Sequence, residues 1–199
     1  MKKKGRIIAL CIIGLFAIAL IAGAFLWWGK SLQVDSYVIT HYFGTDADAA
    51  AYVEALAGEG IFEKVFINEM PRIEIRATPT QVARWVGRNR RELDKELGGI
   101  SPEEGFTAEV SEDATVITVG AGDPYCIPAL TVFLTGVIYH AEMIQIFSGA
   151  QDWSVTLRIV DPGQTRLIYE VVYPEEDIDL REEQWTGVTP GERSDQELS

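Results

Sequence analysis

An uncharged apolar run from Ile7 to Trp28 constrains this chain more than any other feature. As a helix rising about 1.5 Å per residue, these residues reach about 33 Å, enough to cross a hydrocarbon core of roughly 30 Å. Lys2, Lys3, Lys4 and Arg6 precede the run, and Trp27 and Trp28 close it. Positive charge stays on the cytoplasmic side, and amphipathic rings favour the headgroup level. The expectation is a single-pass protein of the cell membrane. Residues 1–6 are cytoplasmic, 7–28 span the lipid bilayer, Trp27 and Trp28 sit at the membrane interface, and the rest is extracytoplasmic. The alternative is a cleaved signal peptide, since Ala22-Gly23-Ala24 has the A-x-A form. The run continues through Phe25-Leu26-Trp27-Trp28 beyond that site, which favours a retained anchor. Cys11 does not form a lipobox, because it lies at the start of the apolar run. Ala19 and Gly23 make a small-xxx-small pair, a spacing frequent in Ala/Gly-rich spans that reads here as lipid-facing filler over helix pairing.

The anchor divides the charge. All 30 acidic residues follow it, whereas five of the 17 Lys and Arg lie in the first thirty positions. The twelve remaining cations leave residues 31–199 at −18 with neutral histidine. So negative a domain repels polyanions, which excludes a general nucleic-acid role. Cys126 is the only cysteine beyond the span, so no disulfide can form within the exported part.

Residues 29–33 read as a tether and 34–174 as one extracytoplasmic domain. Val34 to Phe43 has the β-branched and aromatic content of a strand. Thr45-Asp-Ala-Asp48 resembles a capping box before an Ala-rich helix that Gly58 and Gly60 stop. Ile61 to Asn68 and Arg72 to Ala77 follow as strands; in the second, Ile73, Ile75 and Ala77 alternate with Arg72, Glu74 and Arg76. Thr78, Pro79 and Gln81 start a helix that ends at Gly98-Gly99. Phe106 to Ser111 and Thr115 to Gly120 form the next strand pair. Asp123-Pro124 opens a helix through Phe147, whose capped start and polar stripe (Thr131, Thr135, Glu142, Gln145) argue against a second span. Trp153 to Val160 and Arg166 to Tyr173 are the last strands, joined at Asp161-Pro-Gly-Gln164 by an expected type II turn. Residues 175–199 read as an acidic, disordered tail. The expected fold class is α+β: one strand, then three helix–strand–strand units, in a mainly antiparallel sheet with helices on one face.

Chemical signatures are sparse. His140-Ala-Glu142 has the H-x-E form of zinc deaminases but lacks their cysteine pair. Positions i and i+2 of a helix also point about 200° apart. Cys126 and His140 lie about 21 Å apart along one helix, too far for a thiol dyad. His41 sits on the first strand with no motif around it. Gly120-Ala-Gly122-Asp-Pro could present backbone N–H groups to an anion, but Asp123 is better placed to take them as a cap. No catalytic, cofactor or metal site is therefore assigned. One basic cluster stands out, Arg84, Arg88, Arg90 and Arg91, with Arg72 and Arg76 on the preceding strand. It reads as a solvated helix face, as a dock for the acidic stretch Glu175 to Glu183, or as a site for an anionic lipid or wall polymer.

The expected function is a membrane-anchored binding or interaction domain of unassigned ligand, its target a membrane or envelope protein, an envelope polymer or a small ligand. The alternatives are an envelope enzyme of hydrolase type, its site assembled from carboxylates such as Glu74, Glu109 or Glu142, and an accessory subunit of a membrane complex.

Overall fold

The computed structural model of this chain describes residues 33–39 and 45–186. The expected anchor over 7–28 with Trp27 and Trp28, the first tether residues, His41 and residues 187–199 lie outside the described residues. The described part is α+β. Its elements run β1 (Asp35–Ile39), α1 (Asp46–Gly58), β2 (Lys64–Ile67), β3 (Ile73–Ala77), α2 (Pro79–Gly99), β4 (Phe106–Val110), β5 (Val116–Ala121), α3 (Ile127–Phe147), β6 (Val155–Val160), β7 (Leu167–Tyr173) and α4 (Glu183–Thr186). Short 3-10 turns at Pro102–Glu104 and Pro124–Cys126 precede β4 and α3.

The helix starts follow from local chemistry. Thr45 accepts from the Asp48 amide, and Thr78 and Gln81 exchange side-chain and backbone hydrogen bonds as a capping box. Asp123 accepts from the Tyr125 amide at 2.9 Å, so the donors offered to an anion in the Gly120–Pro124 reading serve the cap.

The pairing departs from a single antiparallel sheet. Among the described residues there are two sheets, ordered β1-β3-β2 and β4-β5-β6-β7. β2 and β3 are antiparallel, as are β4 with β5 and β6 with β7, but β5 and β6 run parallel. A parallel pair needs a long crossover, and α3 supplies it.

The chain also divides into two compact units where one domain over 34–174 was expected. Of the described residues, the first comprises 33–38 and 45–83, and the second 39 and 84–186. In the first unit Ile73, Ile75 and Ala77 are buried while Arg72 and Arg76 are exposed, the alternation expected of β3. In the second unit Ile117, Val119, Ala121, Val155, Leu157 and Ile159 line one face of the mixed sheet and are fully buried. α3 lies on that face: Phe133 meets Phe106 of β4 with ring centroids 5.3 Å apart. From Ala141 to Phe147 every residue of α3 is buried. By length and composition alone the Pro124–Phe147 stretch could cross a membrane, the only such helix among the described residues. Here the sheet and α2 both contact it. The buried Gln145 fixes its end, donating to the Ala114 and Ser154 carbonyls at 2.7 and 2.9 Å and accepting from the Ser154 amide.

Two loops correct the sequence reading. At Asp161–Gln164 the left-handed residue is Gln164, with φ of 55°, and not Gly163. That excludes a type II turn, which places positive φ at its third residue. Asp161 organises the loop itself, accepting from the Thr165 amide, the Thr165 hydroxyl and the Arg166 amide. Residues 175–186, expected within a disordered tail, are folded onto the second unit as a strap. Trp185 is 6% exposed, and its indole N–H donates to the Ala121 carbonyl at 3.2 Å. Arg166 donates to the Trp185 carbonyl, and the Tyr169 hydroxyl accepts from the Asp179 amide. One buried aromatic with satisfied polar atoms outweighs the acidic composition around it.

Candidate functional site

The strap walls a groove of about 480 Å³ in the second unit. Its floor on α3 is Leu134 and Ile138, flanked by Thr131 and Thr135 at helical spacing. The strap supplies the opposite wall through Ile178, Asp179 and Leu180, and Tyr173 at the end of β7 closes one side. The groove is thus apolar along its length, with a few oxygen atoms at its rim.

Those oxygens have a common character. The Thr131 and Thr135 hydroxyls donate to the Ile127 and Thr131 carbonyls at 2.8 and 2.9 Å. Their hydrogens are committed to the helix, which leaves lone pairs for a ligand. The Asp179 carboxylate holds Arg181, a contact that lowers the carboxyl pKa. Burial pushes the Tyr173 phenol up, and the Glu142 and Asp177 carboxylates push it further. Glu142 itself is fully buried.

A second polar cluster joins α2 to α3. His140 Nδ1 lies 2.8 Å from Asn89 Oδ1, and Asn89 Nδ2 donates to the Trp85 carbonyl. With the amide nitrogen engaged there, Asn89 presents its oxygen as acceptor, so Nδ1 of His140 carries the proton. Nε2 then faces Glu96, whose carboxylate is 3.6 Å away. The Glu96 carboxyl rests against Gly136, where a Cβ would come within 2.5 Å of its oxygen. Burial pushes His140 down; Glu92 opposes this and Arg88 adds to it. Burial also pushes Glu96 up, as does Glu92, while Lys95 opposes. The spacing is that of an ion pair, but both groups are shifted toward their neutral forms. We therefore read His140 as uncharged at neutral pH and held by Asn89.

The two shifts act oppositely on stability. Folding weakens proton binding at His140, so its contribution is complete above about pH 6.5 and is lost as pH falls through the folded value. Folding strengthens proton binding at Glu96, so its contribution is complete below about pH 4.3 and is lost as pH rises. Glu96→Gln removes the second slope. Urea midpoints should then fall more steeply from pH 6.5 toward pH 5 than in the parent, by less than about 1 kcal/mol because Glu96 is partly solvated. Equal slopes would refute this assignment.

The basic cluster does not assemble as four. Arg84, Arg88 and Arg91 share one stripe of α2 by their spacing. Arg90 points elsewhere and donates to the Glu112 carbonyl at 2.8 Å, and Arg88 lies over the Trp85 ring at 5.3 Å. Arg72 and Arg76 belong to the first unit, where Arg76 sits over Phe66 and contacts Glu74. The carboxylates of the enzyme alternative are also accounted for separately. Glu74 accepts from Ser36 at 2.6 Å, Glu109 is exposed on β4, and Glu142 is in the α3 core. His140 and Glu142 occupy different surroundings, the first at Asn89 and Glu96, the second near Tyr173. Cys126 is buried, and burial raises its thiol pKa, the state of a small core residue. No group of three or more His, Cys, Asp or Glu among the described residues could hold a metal ion.

Sequence reasoning missed the groove and the Asn89–His140–Glu96 cluster. The four α3 positions of the groove were visible as part of an apolar stripe with a polar edge, but the wall facing them was assigned to a disordered tail. No protein family, curated protein or solved structure matches this chain.

Proposed function

We propose that this protein is a membrane-anchored binding protein whose extracytoplasmic part takes a small, largely apolar ligand in the groove beneath the strap. In this reading residues 7–28 cross the bilayer, Trp27 and Trp28 lie at its outer interface, and the two units stand outside the cytoplasm. The groove carries the proposal. Its volume of about 480 Å³ falls in the range of small-molecule sites, and its apolar floor with few oriented oxygens is their usual composition. The exposed Tyr125 and Val132, at 88% and 76%, lie in or just before the same helix and favour a protein partner as a second reading.

The test uses the full chain in phosphatidylcholine nanodiscs, titrated calorimetrically with phenylbutanol against empty discs. Saturable binding is expected, and Thr135→Trp, which fills the groove from an exposed position, should weaken it at least about tenfold. Heat indistinguishable from empty discs, or binding indifferent to the tryptophan, would overturn the proposal. A C-terminal alkaline phosphatase fusion tests the orientation in parallel, since it is active only if exported.

A further inference from the structure

The groove's polar atoms also specify the ligand's polar end. Its lining contains no lysine, arginine, histidine or amide side chain. Thr131 and Thr135 have committed their hydroxyl hydrogens to helix carbonyls and can only accept. Asp179 can only accept when ionised, and contact with Arg181 keeps it ionised well into the acid range. Tyr173 can donate as well as accept. The polar rim is thus almost entirely acceptor, so a ligand that supplies N–H groups matches it better than one that brings further lone pairs.

The electrostatics agree. Burial pushes the Tyr173 phenol up, and the Glu142 and Asp177 carboxylates add to it, so acidic groups lie near this side of the groove. Burial penalises a charge of either sign, but the neighbouring carboxylates favour a cation over an anion. Arg181 is the nearest identified competitor for Asp179. Its side chain and that of Asp179 are 62% and 57% exposed, and a solvated pair of this kind contributes little that a second cation must overcome.

We propose that the groove binds an amphipathic amine, a protonated alkyl- or arylalkyl-ammonium. Its apolar body lies along Leu134 and Ile138, and its N–H groups meet the Thr131 and Thr135 oxygens and the Asp179 carboxylate. This rests on the groove being a ligand site at all. A carboxylate of the same shape is disfavoured, because it would bring lone pairs and negative charge to a rim that already presents both. General attraction of cations to an acidic domain is a separate effect, and it does not depend on the groove being open.

The probes are phenylbutylamine, phenylbutanol and phenylbutyrate, which share one apolar body and differ in charge. Each is titrated into the full chain in phosphatidylcholine nanodiscs at pH 7. The amine is expected to bind at least about tenfold tighter than the carboxylate, with the alcohol between them. Its advantage should shrink as salt rises. Asp179→Asn should remove most of the amine's lead over the alcohol. Thr135→Trp keeps the net charge and should abolish binding of all three. If the three bind equally, or the carboxylate best, and Thr135→Trp blocks them all, the amine assignment is overturned while the groove remains a binding site. If amine binding survives Thr135→Trp, the attraction is general and the amine site fails; if alcohol binding survives as well, the groove reading fails with it. Thermal unfolding of each variant confirms that the fold is retained.

Discussion

Trp185→Ala is expected to release residues 175–186 from the second unit and to open the groove on its strap side. The indole is 6% exposed and donates to the Ala121 carbonyl at 3.2 Å. Truncating a buried tryptophan typically costs about 3–5 kcal/mol. Other ties are hydrogen bonds from Arg166 to the Trp185 carbonyl, from the Asp179 amide to the Tyr169 hydroxyl, from that hydroxyl to the Asp177 carbonyl and from the Glu176 amide to the Val172 carbonyl, each worth about 1 kcal/mol net. They do not compensate, so the loss should appear as local opening. Arg181 is exposed within the strap and offers a tryptic site. Cleavage there should accelerate by about a hundredfold or more for a 3 kcal/mol loss, while protection of α3 amides changes little. Trp185→Phe keeps much of the bulk and loses only the N–H donor, so it should lie between parent and alanine. Phenylbutanol binding should fall with strap release. Parent-like cleavage at Arg181 in the alanine variant would show that the strap is held by something other than this side chain.

The largest global loss is expected from Leu157→Ala. Leu157 occupies the middle of β6, fully buried, between Ile117 of β5 and Val171 of β7 in register. Both neighbours are themselves buried, so the side chain is enclosed along the row and from the α3 side. Removing it costs the transfer free energy of the lost groups plus that of the cavity, about 2–5 kcal/mol in comparable cores. Against a usual total of about 5–15 kcal/mol, that is a large share. The urea midpoint should fall with little change in slope. Val160→Ala, at the irregular end of the same strand and only half-buried, should cost much less. Equal losses at the two positions would mean that the row across the sheet is not the core.

Some of this fold is readable locally and some is not. The element order follows from Thr45, Thr78 and Asp123 capping their helices and from the alternation of Ile73, Ile75 and Ala77. Each signal lies within a few residues of the structure it dictates. A helix wheel would also have removed Arg90 from the basic cluster, since only Arg84, Arg88 and Arg91 share a stripe. His140 gives no such hint. Its partners Asn89 and Glu96 lie on another helix, Asn89 51 positions away. Nothing near His140 in sequence indicates that an amide will fix its tautomer.

The sequence by itself determined the α+β class, the order of the elements, the charge of −18 beyond position 30 and the uncharged apolar character of the 7–28 run. These depend on composition and on periods of two or 3.6, which neighbouring residues carry. Only the tertiary structure decided that the strands divide between two sheets, that β5 and β6 run parallel, and that an acidic segment folds as one wall of a groove. A strand's period states which face is buried but not which strand lies beside it. A single tryptophan can seat a segment whose average composition predicts disorder, because burial acts on individual side chains and composition averages over them.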